Sequence, residues 1–191
     1  PWPTEASSQG RNACVPGSST RPHTAHVLPY VGDQEAVIVD VTGDTAPDIL
    51  AAGADGLVAV DGANRRLVWI HRRAAGSVPT VWQDVVYVDD THAGGQFACA
   101  LDAESGQVLW QTPLCRYRTP NAAAPVVVGD HAFFRADDGL RTLAAASGET
   151  VRRRPSAGGG SWVATDGVGV VYFAVREVDR TELNADMQAS D

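Results

Sequence analysis

An eleven-residue frame occurs twice in this chain. Ala59-Val60-Asp61-Gly62-Ala63-Asn64-Arg65-Arg66-Leu67-Val68-Trp69 is answered by Ala100-Leu101-Asp102-Ala103-Glu104-Ser105-Gly106-Gln107-Val108-Leu109-Trp110, with the Ala, Asp and Trp positions in common. Each copy reads as one β-hairpin. An alternating strand ends at the Asp, small and polar residues turn the chain, and Val, Leu and Trp begin the return strand. The two tryptophans stand 41 residues apart. A degenerate third copy runs from Thr142 to Arg152, 42 residues beyond the second; it keeps Ser147-Gly148 but has Ala144 for the Asp and Arg152 for the Trp. A spacing of about 40–45 residues, with four short strands per unit, is the signature of a β-propeller blade.

The second copy fits Ala-x-Asp-x-x-Ser/Thr-Gly-x-x-x-Trp at every position. On these residues the chain, over roughly residues 35–175, resembles the pyrroloquinoline-quinone-like (PQQ-like, quinoprotein-type) propeller repeats. The first copy departs at Asn64-Arg65, where the repeat has Ser/Thr-Gly. The resemblance implies that Trp69 and Trp110 dock between adjacent blades. It implies that Asp61 and Asp102 accept hydrogen bonds from their own turns, and that Gly106 and Gly148 hold positive-φ positions. On that account the repeated residues are structural. A working quinoprotein dehydrogenase also carries a cofactor over a Trp, a ring of polar contacts, often a calcium ion and, in the alcohol dehydrogenases, a vicinal Cys pair. This chain has no adjacent cysteines. Half a ring does not enclose a central cofactor, so PQQ is not expected in this segment alone.

The rest of the chain keeps the same rhythm. Residues 1–34, rich in Pro, Ser, Thr and Gly, read as an irregular lead-in or linker, 35–175 as the blades, and 176–191 as a polar tail or truncated blade. Strands are expected at 36–41, 49–52, 57–61, 67–72, 78–82, 85–89, 97–102, 108–112, 124–128, 131–135, 140–144, 149–152, 161–164 and 170–175. No segment has helical periodicity. The fold class is therefore all-β, a propeller repeat segment of about three and a half four-stranded blades. Since propellers have roughly four to eight blades, it is expected to be part of a larger ring. The absence of an initiator Met and of a signal-peptide pattern reads as a processed chain or a fragment.

Charge narrows the partner classes. The net charge is −8, with 15 arginines and no lysine, which argues against nucleic acid. The one basic cluster, Arg152-Arg153-Arg154, reads as a solvated strand end. No run approaches the ~18 apolar residues of a membrane helix. Three cysteines make no complete disulfide framework. Cys99 and Cys115 either bridge across the hairpin, if Pro113 introduces a bulge, or Cys99 is a small buried apolar residue. His23-x-x-His26, with Cys14 as its one further ligand candidate, falls short of a zinc site and reads as solvated.

One loop carries candidate metal chemistry. In Asp40-Val41-Thr42-Gly43-Asp44-Thr45-Ala46-Pro47-Asp48, oxygen-bearing side chains fall at positions 1, 3, 5 and 9. The stretch resembles the calcium loop of FG-GAP (integrin-α-like) propeller repeats, Asp-x-Asp/Asn-x-Asp-Gly-x-x-Asp. The resemblance implies calcium held by the carboxylates of Asp40, Asp44 and Asp48, with Thr42 at the third position and the Ala46 carbonyl completing the set. Thr42 replaces an Asp or Asn, and Thr45 replaces the Gly. The same residues also read as a carboxylate-rich turn. Asp89-Asp90 with His92, and Asp137-Asp138, invite acid/base or metal readings but fall where inter-strand turns are expected. His71 and His131 read as packed or surface histidines.

The expected function is a non-enzymatic binding or scaffold module of an exported or cell-envelope bacterial protein, extracellular or envelope-exposed and calcium-stabilised. It meets a protein or small ligand at the propeller face. A fragment of a PQQ-dependent dehydrogenase and the extracellular sensor propeller of a membrane kinase are the alternatives.

Overall fold

The computed structural model describes residues 36–53, 56–75, 77–92, 95–115, 124–136, 138–155, 162–165 and 171–174. The lead-in with Cys14, His23 and His26, the side chain of His92, Asp137 and the tail lie outside the described residues.

Every described element is a strand. They are β1 (Ala36–Val39), β2 (Asp48–Gly53), β3 (Gly56–Val60), β4 (Leu67–His71), β5 (Ala74–Ala75), β6 (Thr80–Trp82), β7 (Val85–His92), β8 (Gly95–Asp102), β9 (Val108–Cys115), β10 (Val126–Val128), β11 (His131–Ala136), β12 (Gly139–Ala144), β13 (Thr150–Pro155), β14 (Trp162–Thr165) and β15 (Val171–Ala174). They pair as antiparallel meanders. The first blade is β1-β2-β3-β4, the third is β10-β11-β12-β13, and β14-β15 form a two-stranded sheet. The second blade runs β7-β8-β9, its inner edge formed by β5 and β6, both paired with β7. This is the expected propeller segment.

The core lies in the seams between sheets. Side chains alternate across each strand, so every sheet presents one apolar face backward and one forward along the chain. Leu50, Ala52, Leu57, Ala59 and Trp69 of the first blade pack against Val86, Val88, Cys99, Leu101 and Ala103. Tyr87, Ala98, Ala100 and Trp110 of the second pack against Val127, Ala132, Phe134, Ala136 and Leu143. A smaller cluster of Val126, Leu140 and Val163 joins the third blade to β14.

The expected turn at Asp89-Asp90 is overturned. The β7–β8 ladder continues to His92↔Gly95, so both aspartates lie inside a strand. The disulfide alternative is overturned as well, since Cys99 and Cys115 are free. A register shift between Gln96 and Phe97, opposite Pro113, does bulge β9, but it sets Cys115 opposite Gln96 while Cys99 faces Gln111. The thiols therefore sit at separate rungs of the ladder.

Candidate functional site

The repeated frame builds seats between blades. Asp61 accepts the N–H of Ala63 (2.8 Å) and Asn64 (3.0 Å), and Asp102 accepts the Ser105 N–H (2.8 Å) and hydroxyl (2.5 Å). Those Ser105 bonds, hydroxyl first, hold the Asp102 carboxyl below its ordinary value. The third copy closes its turn without a carboxylate, because the Gly148 N–H donates to the Ala144 carbonyl (2.8 Å) as Gly106 does to Asp102 (2.8 Å).

Each frame Trp then crosses to the next blade. The Trp69 indole N–H donates to the Ala103 carbonyl and that of Trp110 to the Ala145 carbonyl, both at 2.8 Å. Under each indole lies the next frame's glycine. A Cβ on Gly106 would stand 2.5 Å from Trp69 Cδ2, and one on Gly148 would stand 2.4 Å from Trp110 Cε3. Both glycines also have positive φ, +68° and +70°. Glycine is needed there for two reasons, the backbone conformation and the approach of the ring. In the first blade the same position is Arg65, exposed and at φ 63°. Tyr87 and Phe134 flank Trp110 at ring-centroid distances of 6.0 and 6.3 Å.

The Asp40–Asp48 loop is organised by its carboxylates. Asp48 is fully buried and accepts the N–H groups of Val41 (2.9 Å), Thr42 (3.0 Å) and Gly62 (2.9 Å) and the Thr42 hydroxyl (3.1 Å). Burial raises its pKa, but the bonds from Gly62, Val41 and Thr42 outweigh that and leave the carboxyl below its ordinary value. Asp40 accepts the N–H of Gly43 (2.7 Å) and Thr45 (2.8 Å), and Asp44 that of Ala46 (2.8 Å). The loop thus turns around Asp40 and is tied by Asp48 to the frame turn at Gly62. Among the described residues no three His, Cys, Asp or Glu side chains gather as a metal-holding group. A calcium ion here would take its oxygens from these hydrogen bonds.

A second polar set lies inside the second blade and was not foreseen. Asp90, on the backward face of β7, meets His71 Nε2 (3.3 Å), the Arg73 guanidinium (3.3 Å), the Gln111 amide (3.4 Å) and the Cys99 thiol (3.6 Å). Arg73 also donates to Gln111 Oε1 (3.0 Å). Burial, and then the Asp90 charge, push the Cys99 thiol up, so it remains a protonated thiol. Asp89, on the forward face, accepts the Gln96 amide, whose Oε1 accepts the Cys115 thiol (3.2 Å). Of the remaining candidates, Asp138 holds Arg141 (2.8 Å) and exposed Asp130 holds His131 (2.6 Å). A signal for Asp90 was present in the repeat itself, because Gly53 and Ala136 stand at its position in the other blades.

The PQQ_2 family model, described as outer membrane protein assembly factor BamB, matches residues 53–172. The chain belongs to this family. The match takes in all three frame copies, both Trp seats and the buried set of the second blade, and excludes the Asp40–Asp48 loop. No curated protein matches the chain in sequence. Among solved structures it is similar to BamB from Moraxella catarrhalis, at 22% identity and a TM-score of 0.50 over 73% of this chain and 47% of that one. It is also similar to quinohemoprotein alcohol dehydrogenase from Comamonas testosteroni, at 18% identity and a TM-score of 0.50 over 64% of this chain and 20% of that one. These likenesses are of fold, and the chain spans less than half the length of either protein. The frame tryptophans do not fit the part of a quinone platform, since Trp69 and Trp110 are 7% and 9% exposed and closed between blades. Among the described residues no helix is long and apolar enough to cross a membrane.

Proposed function

We propose that the chain is a non-enzymatic propeller scaffold of a bacterial cell envelope, presenting its loops to a protein partner in outer membrane protein assembly. The observation that carries this reading is the match of residues 53–172 to a family described by that role. The use of the frame residues agrees with it. Trp69, Trp110, Asp61, Asp102, Gly106 and Gly148 all hold turn to turn and blade to blade. The surface left for recognition is the loops and the rim. In this reading the Asp40–Asp48 loop braces the first blade.

The test is crosslinking of the tagged full-length protein in its own cells, followed by fractionation and mass spectrometry. Recovery in the envelope with outer-membrane assembly proteins, and a changed outer-membrane protein profile on deletion, support the scaffold. A cytoplasmic protein with an unchanged profile on deletion overturns it. The likeness to the Comamonas enzyme favours a quinone-dependent dehydrogenase as the second reading. Saturable quenching of tryptophan fluorescence by added PQQ would select that reading over the scaffold.

A further inference from the structure

The second blade departs from its neighbours at one place. In the strand registers, Asp89 and Asp90 take the positions held by Ala52 and Gly53 in the first blade and by Arg135 and Ala136 in the third. The other two blades form without carboxylates there, so these aspartates are not demanded by the fold. They are 2% and 1% exposed, and the Oδ1 atom of each is buried without a hydrogen-bond partner. Neighbours on a strand point to opposite faces, which divides their surroundings. His71 from β4, Arg73 from the β4–β5 connection, Cys99 from β8 and Gln111 from β9 all face Asp90. Asp89 faces Ser77 and the Gln96 amide, with the Cys115 thiol behind Gln96, and among the described residues no cation pairs with it.

We propose that Asp89 is a proton-binding site: the second blade closes with this carboxyl protonated beside Asp90, which pairs with Arg73, and release of the proton loosens the far end of the β7–β8 hairpin. The reason is the sharing of cations. The Arg73 guanidinium pairs with Asp90, and the His71 imidazole lies beside it. A second adjacent charge would, among the described residues, be buried with only neutral donors, and the interior disfavours that strongly. Burial pushes the Asp89 carboxyl up to about 6, with the Asp90 charge adding to it and the polar neighbours Ser77 and Gln96 opposing it. The folded state therefore holds this proton more tightly than the unfolded state, whose value is 3.8. The stability from this group is full below that value and is lost as pH rises through about 6. A gap of about two units corresponds to about a 100-fold change in the folding equilibrium. Only Asp90 reaches the seam with the first blade, through His71 of that blade's outer strand; Asp89 lies on the opposite face of β7.

The test uses the full chain labelled with carbon-13 at aspartate carboxyls, the Asp89 signal being assigned by its loss in Asp89→Asn. The expected midpoint is near pH 6, moving downward in Asp90→Asn because the neighbouring charge is gone. Between pH 4 and 8 the folding equilibrium of the wild type should fall about 100-fold more than that of Asp89→Asn. A midpoint at or below the ordinary aspartate value, or parallel pH profiles for wild type and Asp89→Asn, overturns the proposal. Where Asp89→Asn does not fold, the signal is assigned by sequential NMR in the wild type, and its midpoint decides alone.

Discussion

Gly148→Ala probes the seam between the second and third blades. The added methyl would stand 2.4 Å from Trp110 Cε3, 2.6 Å from Cδ2 and 2.9 Å from the Thr112 hydroxyl, where ordinary contact begins at 3.4 Å. The indole must retreat by about 1 Å, beyond what a close-packed seam absorbs. Retreat breaks the Trp110–Ala145 hydrogen bond, about 1 kcal/mol. It also disturbs the packing on Tyr87 and Phe134, about 1–3 kcal/mol. An L-residue at φ +70° costs roughly 1 kcal/mol more. The sum is about 3–5 kcal/mol, which at about 2–4 °C per kcal/mol lowers Tm by roughly 10 °C. Gly129 supplies the control. It has φ +58° and nothing within 4 Å of a built Cβ, so Gly129→Ala should cost only the conformational part, roughly 1 kcal/mol. Denaturant unfolding of both variants, alone and with Trp110→Ala, separates the contributions. Without the indole, Gly148→Ala should shrink toward the Gly129→Ala value, the Thr112 contact alone keeping it above. If Gly148→Ala costs no more than Gly129→Ala in the wild type, the tryptophan seat does not hold the blades together.

Three further outcomes follow from the same structure. Asp48→Asn should cost about 2–4 kcal/mol, because an amide offers one acceptor oxygen to groups that now share two; denaturant titration measures it. The wild-type Asp48 carboxyl lies below its ordinary value, so its contribution is present above the unfolded value of 3.8 and lost as pH falls through the folded one. The Asn variant should lack that acid loss. A melt in chelator and then in millimolar calcium tests the ligand set Asp40, Thr42, Asp44, Ala46 and Asp48. The hydrogen bonds within the loop lead us to expect an unchanged Tm, and a rise with calcium would assign the ion to the loop. In an unreduced Cys14→Ser chain, thiol reagent should label both Cys99 and Cys115 in denaturant and spare buried Cys99 in the native state; a denatured chain with no reactive thiol would mean a bridge.

Much of the architecture was legible because its causes are local. The Asp61 and Asp102 turns close over two or three residues, with bonds to Ala63, Asn64 and Ser105. The strand alternation around them needs no knowledge of neighbours. Even the first copy's departure is local, since Arg65 adopts the positive φ that glycine holds elsewhere. The reading failed where a residue's meaning depends on ladder length. Asp89-Asp90 has good turn chemistry, but the second blade's hairpin extends past it, and extension turns two surface carboxylates into buried ones. Of the two readings of Cys99, the buried apolar one holds and the bridge does not, as a bulge shifts register by one place and not by the several that separate the thiols.

The sequence by itself determined the period, the all-β class and the frame turns, because these rest on bonds between residues a few places apart, and its resemblance to the PQQ-like repeats implied that Trp69 and Trp110 dock between blades. Only the tertiary structure decided what each tryptophan meets. Trp69 finds Ala103 and Trp110 finds Ala145 across 34 and 35 residues, and the glycine beneath each ring belongs to the following blade. It also decided that Asp48 is a buried tie and that Asp90 meets the Arg73 guanidinium while Asp89, on the other face, meets the Gln96 amide. Those facts arise when sheets stack, since stacking, and not spacing along the chain, removes water from a carboxylate and chooses its partners.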